Sequence, residues 1–273
     1  MRRYFAGVAT IIIIIAVLIG LSAAGAIEFD QPVENEFAPN RSTYNSGQTG
    51  TRAIYQLLEE SGTPVARWRK HYSSLGAEAK DSILVIIGPF QSGRKMSEEE
   101  AAELHGWIST GGRALIISRS PIEQFEDPAI RVKAPEKLPA HDATPEEFID
   151  EESDELIAQP TELTREVRGL AISDFASRMS FHPQDRADKT DWTRAAETAP
   201  NRGETKEEYS TPSVYAPVIH LGDKDGAALA DFTFGEGRVI FLSDPFVVAN
   251  NGIARGGNLR LAMNILRSMG APE

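Results

Sequence analysis

Two apolar runs on either side of a well-marked helix limit the folds open to this chain more than any other feature. The runs are SILVIIGPF at 82–90 and RALIIS at 113–118, about thirty residues apart. Between them lies SEEEAAELHGWISTGG at 97–112, where Ser97 and Glu100 have the spacing of a capping box. Strands that are apolar throughout are typical of a parallel sheet with helices on both faces. We therefore expect an α/β fold in which both runs are strands buried on both faces.

Helical and strand patterns recur on both sides of this unit. SGQTGTRAIYQLLEESG at 46–62 predicts a helix, and PVARW at 64–68 is a candidate for a short strand. Near the carboxyl end, RVIFLSD at 238–244 predicts another buried strand, and NLRLAMNILRSMG at 258–270 predicts an amphipathic helix. This alternation favours a single α/β domain, which we expect to cover residues 47–273.

A hairpin is predicted just before the last strand. VYAPVIHLG at 214–222 and ALADFTFG at 228–235 have the pattern of two strands joined by a tight turn through GDKDG. Asp223 and Asp225 in that turn suggest a calcium loop at first sight, but the twelve-residue loop with its final glutamate is absent. The sequence predicts a hairpin turn here, and it predicts no metal and no cofactor.

Residues 121–212 differ from the rest of the domain, because they are rich in Pro, Glu and Asp and poor in apolar residues. We expect this region to be an acidic insertion on the sheet, not a second domain. The acidic residues at 146–155 favour a solvated helix face over a binding site. LTREVRGLAISDF at 163–175 fits either a helix or a strand.

The amino terminus predicts a membrane anchor. The run from Tyr4 to Ile27 is uncharged and long enough to cross a bilayer as a helix. Arginines precede it and acidic residues follow it, so the positive-inside rule places the amino terminus in the cytoplasm and the rest outside. We expect residues 1–27 to be a single-pass anchor in the cytoplasmic membrane, held by residues 4–27, and the polar residues 28–46 to form an extended tether.

A cleaved signal peptide is the alternative. Val8 to Leu21 fits the apolar region of a signal peptide, and AGA at 24–26 fits a cleavage site, which would make the protein secreted or periplasmic after cleavage near Ala26. The five consecutive isoleucines and the total length of the run favour a retained anchor. Both interpretations place the domain outside the cytoplasm.

Charge and cysteine content exclude several functions. The formal net charge is −12, and no basic block is present, so we expect no nucleic-acid partner. The chain contains no cysteine, which excludes disulfides, thiolate metal sites and a cysteine nucleophile.

Several of these segments together resemble a known family. They are NSGQTGTRAIYQLLEESGTPVARWR, ILVIIGPF, ELHGWISTGGRALIIS and, at the carboxyl end, GEGRVIFLSDPFVVANNGI followed by NLRLAMNIL. The chain resembles the bacterial domain-of-unknown-function family four-three-five-zero over about residues 40–120 and 212–268. GRVIFLSDP is the most specific of the matching segments. Members are membrane-anchored and have a domain similar to class I glutamine amidotransferases.

The resemblance implies a flavodoxin-like, glutamine-amidotransferase-like domain with three layers and a parallel sheet, located outside the membrane. Genes of this family commonly lie beside those of MoxR-type ATPases and von Willebrand factor A-type proteins. The resemblance therefore implies a protein partner in the envelope and a part in envelope assembly or signalling.

The residues that amidotransferases and hydrolases need are not found in the expected pattern. The amidotransferase cysteine is absent, and neither apolar run is followed by a Gly-x-Ser-x-Gly elbow. Ser118, Ser120 and Ser243 lie at predicted strand ends, but no spacing joins them to a histidine and an acid. The five histidines are His71, His105, His141, His182 and His220. We therefore expect the protein not to be an enzyme.

A ligand site, if this fold has one, is expected where the carboxyl ends of the parallel strands converge. We expect Asp244 to accept backbone N–H bonds there and Pro245 to stop the strand. The residues predicted to line the site are Gly88, Arg119, Ser243, Asp244, Asn250 and Asn251. A second candidate is the loop NSGQTGTR, which either binds an anion or caps the helix that follows; capping is the favoured interpretation.

Two functions follow from these observations. The first is a non-catalytic, membrane-anchored scaffold or sensor that acts through protein partners. The second is a small-ligand binding domain or degenerate hydrolase with its site at the strand ends.

Overall fold

Strands from both halves of the domain build one mixed sheet. The structure, a computed structural model, describes residues 34–88, 96–121, 125, 130–135, 149–150, 156–181 and 217–270. Its strands are β1 (Ile83–Ile87), β2 (Arg113–Ile117), β3 (Ile130–Lys133), β4 (Ile149–Asp150), β5 (Ile157–Ala158), β6 (Ile172–Ser173), β7 (Arg178–Phe181), β8 (Val218–Asp223), β9 (Gly226–Phe234) and β10 (Gly237–Leu242). Eight of them form one sheet in the order β1-β2-β10-β9-β7-β3, with β8 paired to β9 and β5, while β4 and β6 form a separate pair.

The sheet is parallel only in part, which corrects the expectation of a parallel sheet. β1, β2 and β10 lie parallel, with β2 in the middle. β9 runs antiparallel to β10 and to β8, and β7 runs antiparallel to β9 and to β3. The physical reason is the length of the connections. β8, β9 and β10 follow one another through two-residue turns, and a parallel pairing needs a crossover of a dozen residues or more. The GDKDG hairpin predicted from the sequence is confirmed.

Three of the helices in the described residues lie where the sequence predicts them, and a short helix at Leu75–Glu78 was not predicted. Within the described residues they are α1 (Arg52–Glu60), α2 (Leu75–Glu78), α3 (Glu98–Ser109) and α4 (Asn258–Ser268), with 3₁₀ turns at Tyr72–Ser74 and Pro245–Val248. The capping box at the start of α3 is confirmed, because the Ser97 side chain accepts a hydrogen bond from the Glu100 amide and the Glu100 side chain accepts one from the Ser97 amide.

Both faces of the sheet are covered. Ile117 and Leu242 belong to a core cluster that includes side chains of α1 and α4. Ile116 and Phe241, their neighbours in sequence, belong to the opposite cluster, which includes side chains of α3. Side chains alternate between the faces of a strand, so the continuous apolar runs supply both cores at once.

Two sequence predictions about the first strands are wrong. β1 pairs with β2 alone among the described strands and lies at the sheet edge, so its burial is incomplete and Val85 is 39% exposed. Residues 64–68 form no strand. Arg67 lies in that segment and stacks on the rings of Tyr44 and Tyr55, which keeps the segment against the start of the domain.

The described parts of the 121–212 region belong to the fold. β3 and β7 extend the main sheet at its far end. The sequence left helix or strand open for residues 163–175, and the structure has a strand there at Ile172–Ser173. Ile172, Ser173 and Phe175 are buried. The helix expected at 146–155 is contradicted at 149–150, where β4 pairs with β6. Residues 146–148 and 151–155 of that acidic segment lie outside the described ranges.

Residues 35–46 are packed onto the domain and are not an extended tether. Asn35 is the first residue of the compact unit that contains the rest of the domain. Glu36 and Arg41 are among the most buried charged residues of that unit, at 2% and 5% exposure. The predicted anchor or signal peptide and residues 28–33 of the tether lie outside the described residues. Among the residues that the structure does describe, no helix has the length and apolar character of a membrane span.

Candidate functional site

Two charged side chains meet at the carboxyl ends of β2 and β10. Arg119 lies two residues beyond the end of β2, and Asp244 lies two residues beyond the end of β10, its parallel neighbour. The distance from Arg119 Nη2 to Asp244 Oδ1 is 3.4 Å. The sequence analysis predicted both residues at this site, because the carboxyl ends of adjacent parallel strands lie at the same edge of the sheet.

The Asp244 carboxylate is committed to donors within the fold. It is 1% exposed. Its Oδ2 accepts a hydrogen bond from the Ser173 amide at 2.7 Å, and its Oδ1 accepts from the Ser173 hydroxyl at 3.1 Å and from the Phe246 amide at 3.2 Å. Pro245 begins the 3₁₀ turn here and ends the strand, as the sequence predicts.

Glu36, from the segment before α1, supplies the carboxylate that Arg119 contacts most closely. Arg119 Nη2 lies 2.5 Å from Glu36 Oε2, and Nη1 donates a hydrogen bond to the Glu36 carbonyl oxygen at 3.1 Å. Arg119 therefore binds both the side chain and the backbone of this residue. The sequence analysis missed Glu36, because a single glutamate in a polar segment carries no periodic signal that marks it as buried.

Arg41 is the second cation of the group. Its guanidinium pairs with the same Oε2 atom of Glu36 and donates from Nη1 to the Thr49 carbonyl oxygen at 3.1 Å. Burial lowers the pKa of Arg41 from its ordinary value, and the Glu36 carboxylate opposes this effect. We call Glu36, Arg41, Arg119, Ser173 and Asp244 the strand-end cluster. Its two guanidinium groups balance its two carboxylates, as buried charges require.

Aromatic rings close one side of the strand-end cluster. The Arg119 guanidinium lies 4.7 Å from the centre of the Phe175 ring, and Phe37 packs edge-on against Phe175 with ring centres 4.9 Å apart. The Arg119 side chain is 21% exposed, against 1% for Glu36. The position where open α/β sheets bind ligands is thus filled by residues 36 and 37 of the same chain.

Polar atoms in and beside the strand-end cluster remain without a protein partner. They are Glu36 Oε1, Arg41 Nε, Arg119 Nε and, next to Asp244, Ser243 Oγ, all buried and unpaired among the described residues. Ser243 is completely buried, and its amide donates a hydrogen bond to the Ala228 carbonyl oxygen at 2.9 Å. Buried polar atoms in proteins nearly always pair with protein or ordered water, so these four are the atoms at which water or a ligand group would bind.

The other residues predicted for the site make their hydrogen bonds elsewhere. The Gly88 amide continues the β1–β2 ladder by donating to the Ile117 carbonyl oxygen at 2.9 Å. Asn250 donates from Nδ2 to the carbonyl oxygens of Asn45 and Gly47. The Asn251 amide donates to the Gln48 carbonyl oxygen. The two asparagines thus hold the loop before α1.

The first turn of α1 is capped, but not by a side chain of the NSGQTGTR loop, which corrects the capping interpretation. Thr51 makes no side-chain cap at the start of α1. Asn250 Oδ1 instead accepts a hydrogen bond from the Ala53 amide at 2.9 Å. The first turn of the helix therefore receives its cap from a side chain nearly two hundred residues away in sequence, which no local pattern can reveal.

A hydroxyl from the segment after β5, an imidazole on β8 and a carboxylate on β9 lie in a line. Thr161 Oγ1 lies 2.8 Å from His220 Nδ1, and His220 Nε2 lies 3.0 Å from Asp231 Oδ1. Asp231 also accepts from Arg238, at 2.9 Å from Nε and 2.5 Å from Nη2. Burial alone would raise the pKa of Asp231, but hydrogen bonds from His220 and Arg238 and their charges hold it below its ordinary value.

The Thr161–His220–Asp231 line has the order of a hydrolase triad, but its surroundings favour a structural role. His220 is 5% exposed and lies within a strand, away from the strand ends. The Asp231 carboxylate is shared with a permanent cation, Arg238, which weakens its effect on the imidazole. This line was not predicted, because Thr161 lies in no hydrolase motif and only serines at strand ends were candidates for a nucleophile. Over the part of the chain that is described, no group of metal-ligating side chains comes together either.

The fold and the cluster define a class: α/β domains with a mixed sheet, helices on both faces, and a strand-end position filled by their own chain. Within that class the chain belongs to the family described as Domain of unknown function (DUF4350), whose model matches residues 43–266. The membership predicted from the resemblance is confirmed. No curated protein matches the chain.

Solved structures add a likeness of fold. The mmIFT52 N-terminal domain superposes with a TM-score of 0.51 at 12% identity, over 86% of this chain and 95% of that one. Gan42B, a GH42 β-galactosidase, gives 0.41 at 10% identity, over 86% and 28% of the two chains. The exo-β-1,4-mannosidase Op5Man5 from Opitutaceae bacterium strain TAV5 gives 0.35 at 10% identity, over 70% and 26%. At these identities the first shows a shared fold alone, and the two glycosidases support no conclusion about chemistry.

Proposed function

We propose that this protein is a non-catalytic α/β module, anchored to the cytoplasmic membrane and exposed on its outer face, that acts as a scaffold or sensor through protein partners. The observation that carries the proposal is the filled strand end. Glu36 and Phe37 lie at the position where a substrate would bind, and Arg119 pairs with the carboxylates of both Glu36 and Asp244.

The chemistry of the strand-end cluster also favours binding over catalysis. Its charged members are two arginines and two carboxylates, and Asp244 holds three donors of the fold itself. An arginine stays protonated and cannot serve as a general base, and the Asp244 carboxylate is occupied by those three donors. The cluster therefore positions chains and does not move protons.

The setting is part of the proposal. The uncharged run at residues 4–27, with arginines before it, supports a retained anchor with the amino terminus inside. The family resemblance supports a flavodoxin-like, glutamine-amidotransferase-like ancestry and a partner in the envelope, with a MoxR-type ATPase system as the first candidate. The net charge of −12 supports a protein partner over nucleic acid.

Thermal unfolding of the full-length protein in detergent tests the absence of a substrate. The panel contains nucleotides, sugars, peptidoglycan fragments and metal ions, and the matched control is the double variant Arg119→Ala, Asp244→Asn. We expect no member to raise the midpoint of the wild type. A ligand that raises it for the wild type and not for the double variant would contradict the proposal and favour a small-ligand binding domain.

Crosslinking in the native membrane tests the partner. Tyr44 is 53% exposed and lies beside the arginines that stack on it, a surface composition typical of interfaces. A photoreactive residue at position 44 should give a discrete adduct with one envelope protein, and the same residue at the buried position 240 should give none. If neither position 44 nor a second exposed position, Leu57, gives a crosslinked adduct, the scaffold role is contradicted.

A further inference from the structure

The segment that carries Glu36 is bound to the sheet in the way a peptide ligand is bound. Arg119 contacts the Glu36 carboxylate and its carbonyl oxygen together, and the next ring, Phe37, packs on Phe175. Asn35 turns the backbone at this point, since its Oδ1 accepts from the amides of Phe37 and Ala38. A carboxylate followed by an aromatic ring is thus recognised by an arginine and a second ring.

Without Glu36 this position would hold uncompensated positive charge. Arg41 and Arg119 would then face Asp244 alone, and Asp244 is already held by Ser173 and Phe246. The buried guanidinium of Arg41 and the partly exposed one of Arg119 would leave a net positive charge against one carboxylate, which is costly beside a protein interior. The cluster therefore requires an anion at the place of the Glu36 side chain.

The Glu36 carboxylate pairs with the two arginines through only one of its oxygens. Both guanidinium groups converge on one oxygen, Oε2, while Oε1 and the Nε atoms of Arg41 and Arg119 are buried without a partner in the described residues. A carboxylate that presents both oxygens to one guanidinium makes two parallel hydrogen bonds. A carboxylate with freer geometry than Glu36 can therefore compete with it.

We propose that the carboxyl ends of β2 and β10 form a binding site for an acidic peptide, which the chain fills with its own Glu36–Phe37, and that a partner's carboxylate followed by an aromatic residue competes for it. Arg119 and Arg41 bind the carboxylate, and Phe175 binds the ring. The inference rests on the proposed function only in taking the competing peptide from a protein partner.

Chemical rescue tests the carboxylate site in the full-length protein. Glu36→Ala should lower the midpoint of thermal unfolding by roughly 10 °C, since it leaves buried charge unpaired. Sodium formate should restore a substantial part of this loss relative to sodium chloride at the same concentration. It should not shift the wild type or the variant Glu36→Ala, Arg119→Ala. A folded Glu36→Ala protein that formate does not stabilise would overturn the proposal.

A peptide tests the preference for an acid beside a ring. The probe is a fluorescent peptide with the sequence of residues 34–40, ENEFAPN, and the control is the same peptide with glutamine at its third position. We expect the probe to bind Glu36→Ala at least tenfold more tightly than the control peptide does, and to bind the wild type weakly. Equal binding of the two peptides, or no binding of the probe, would overturn the proposal.

A second variant covers the case in which Glu36→Ala does not fold. Glu36→Gln keeps the shape of the side chain and removes its charge, and the same two peptides are titrated against it with the same criteria. A failed peptide experiment beside a positive crosslink at Tyr44 would remove the acidic-peptide site and leave the scaffold role. Specific binding of the acidic peptide without a crosslink at Tyr44 would remove the scaffold role and leave the acidic-peptide site.

Discussion

At the scale of single residues, charge balance decides how the strand-end cluster responds to substitution. Asp244 contacts Arg119 at 3.4 Å only, yet it is the carboxylate that holds Ser173 and the turn after β10 in place. Glu36 is closer to both arginines, but it comes from a segment outside the sheet. The sheet therefore fixes Arg119 and Asp244, and the peripheral segment completes the charge balance.

Neutralising Asp244 should cost more than its distance from Arg119 suggests. We expect Asp244→Asn to lower the free energy of unfolding by about 3 kcal/mol, because one buried carboxylate would remain against two guanidinium groups. Urea titration measures the loss. The matched control is Asp225→Asn, since Asp225 pairs with Lys133 on the surface, where both side chains are more than a third exposed, and we expect no measurable change there. Equal effects of the two substitutions would contradict the role of buried charge.

His105 should make the stability of the domain depend on pH. Its ring packs against Phe125 and Phe234, with ring centres 4.3 Å and 5.5 Å away, and burial lowers its pKa from the ordinary value of 6.5. As the pH falls through 6.5, His105 becomes protonated in the unfolded state while it is still neutral in the folded state. Proton binding therefore favours the unfolded state. The contribution of neutral His105 to the free energy of unfolding is therefore complete above pH 6.5. It is lost as the pH falls towards the pKa of His105 in the folded state.

Unfolding free energies measured between about pH 7.5 and 5 check this expectation. The wild type should lose stability over this range, and His105→Leu should lose less, because leucine fills the apolar site without titrating. Parallel curves for the two proteins would show that His105 is not the group responsible.

At the scale of elements, local sequence patterns predict the individual helices and strands, and the tight turns determine how the strands pair. The helices α1, α3 and α4 and the strands β2 and β10 follow from 3.6-residue periodicity, the capping box and continuous apolar runs. The direction of β9 does not follow from its own residues. It follows from the two-residue connection at Gly235, which allows only an antiparallel return to β10.

Gly235 should therefore be sensitive to the smallest substitution. Its φ is +62°, and an added Cβ would lie 2.4 Å from the Ser109 carbonyl oxygen at the end of α3. We expect Gly235→Ala to lower the free energy of unfolding by about 3 kcal/mol or more, from backbone strain and from displacement of α3. Gly62→Ala is the control, because its φ is +79° and nothing lies within 4 Å, so strain alone should cost about 1 kcal/mol. A smaller effect at Gly235 than at Gly62 would contradict the close packing of this turn.

At the scale of the whole molecule, the candidate site divides into a part that sequence reasoning can find and a part that it cannot. Arg119 and Asp244 are predictable, because topology brings the ends of parallel strands together. Glu36, Arg41 and Ser173 are not, because they come from a polar segment and from an acidic insertion whose placement depends on the completed sheet. The edge position of β1 is hidden for a similar reason, since an apolar run looks alike at the edge and in the middle of a sheet.

The predicted and the observed starts of the folded domain differ, and this difference affects the strand-end cluster directly. The sequence predicts a domain that begins at residue 47, but the compact unit begins at Asn35. A protein that starts at residue 47 lacks Glu36, Phe37 and Arg41, and so Asp244 is the one carboxylate of the strand-end cluster that remains for Arg119. It also loses the hydrogen bond from the Thr51 hydroxyl to the Arg41 carbonyl oxygen, which holds the segment beside α1.

We therefore expect residues 47–273 to unfold roughly 10 °C below residues 28–273, because a buried charge pair and an aromatic contact are lost together. The comparison is made by thermal unfolding followed by circular dichroism. In residues 28–273, the double variant Glu36→Gln, Phe37→Ala should reproduce most of the loss, which separates these side chains from the mere length of the chain. Equal midpoints for the two lengths would show that residues 28–46 are a tether after all, and would remove the self-ligand on which the acidic-peptide site depends.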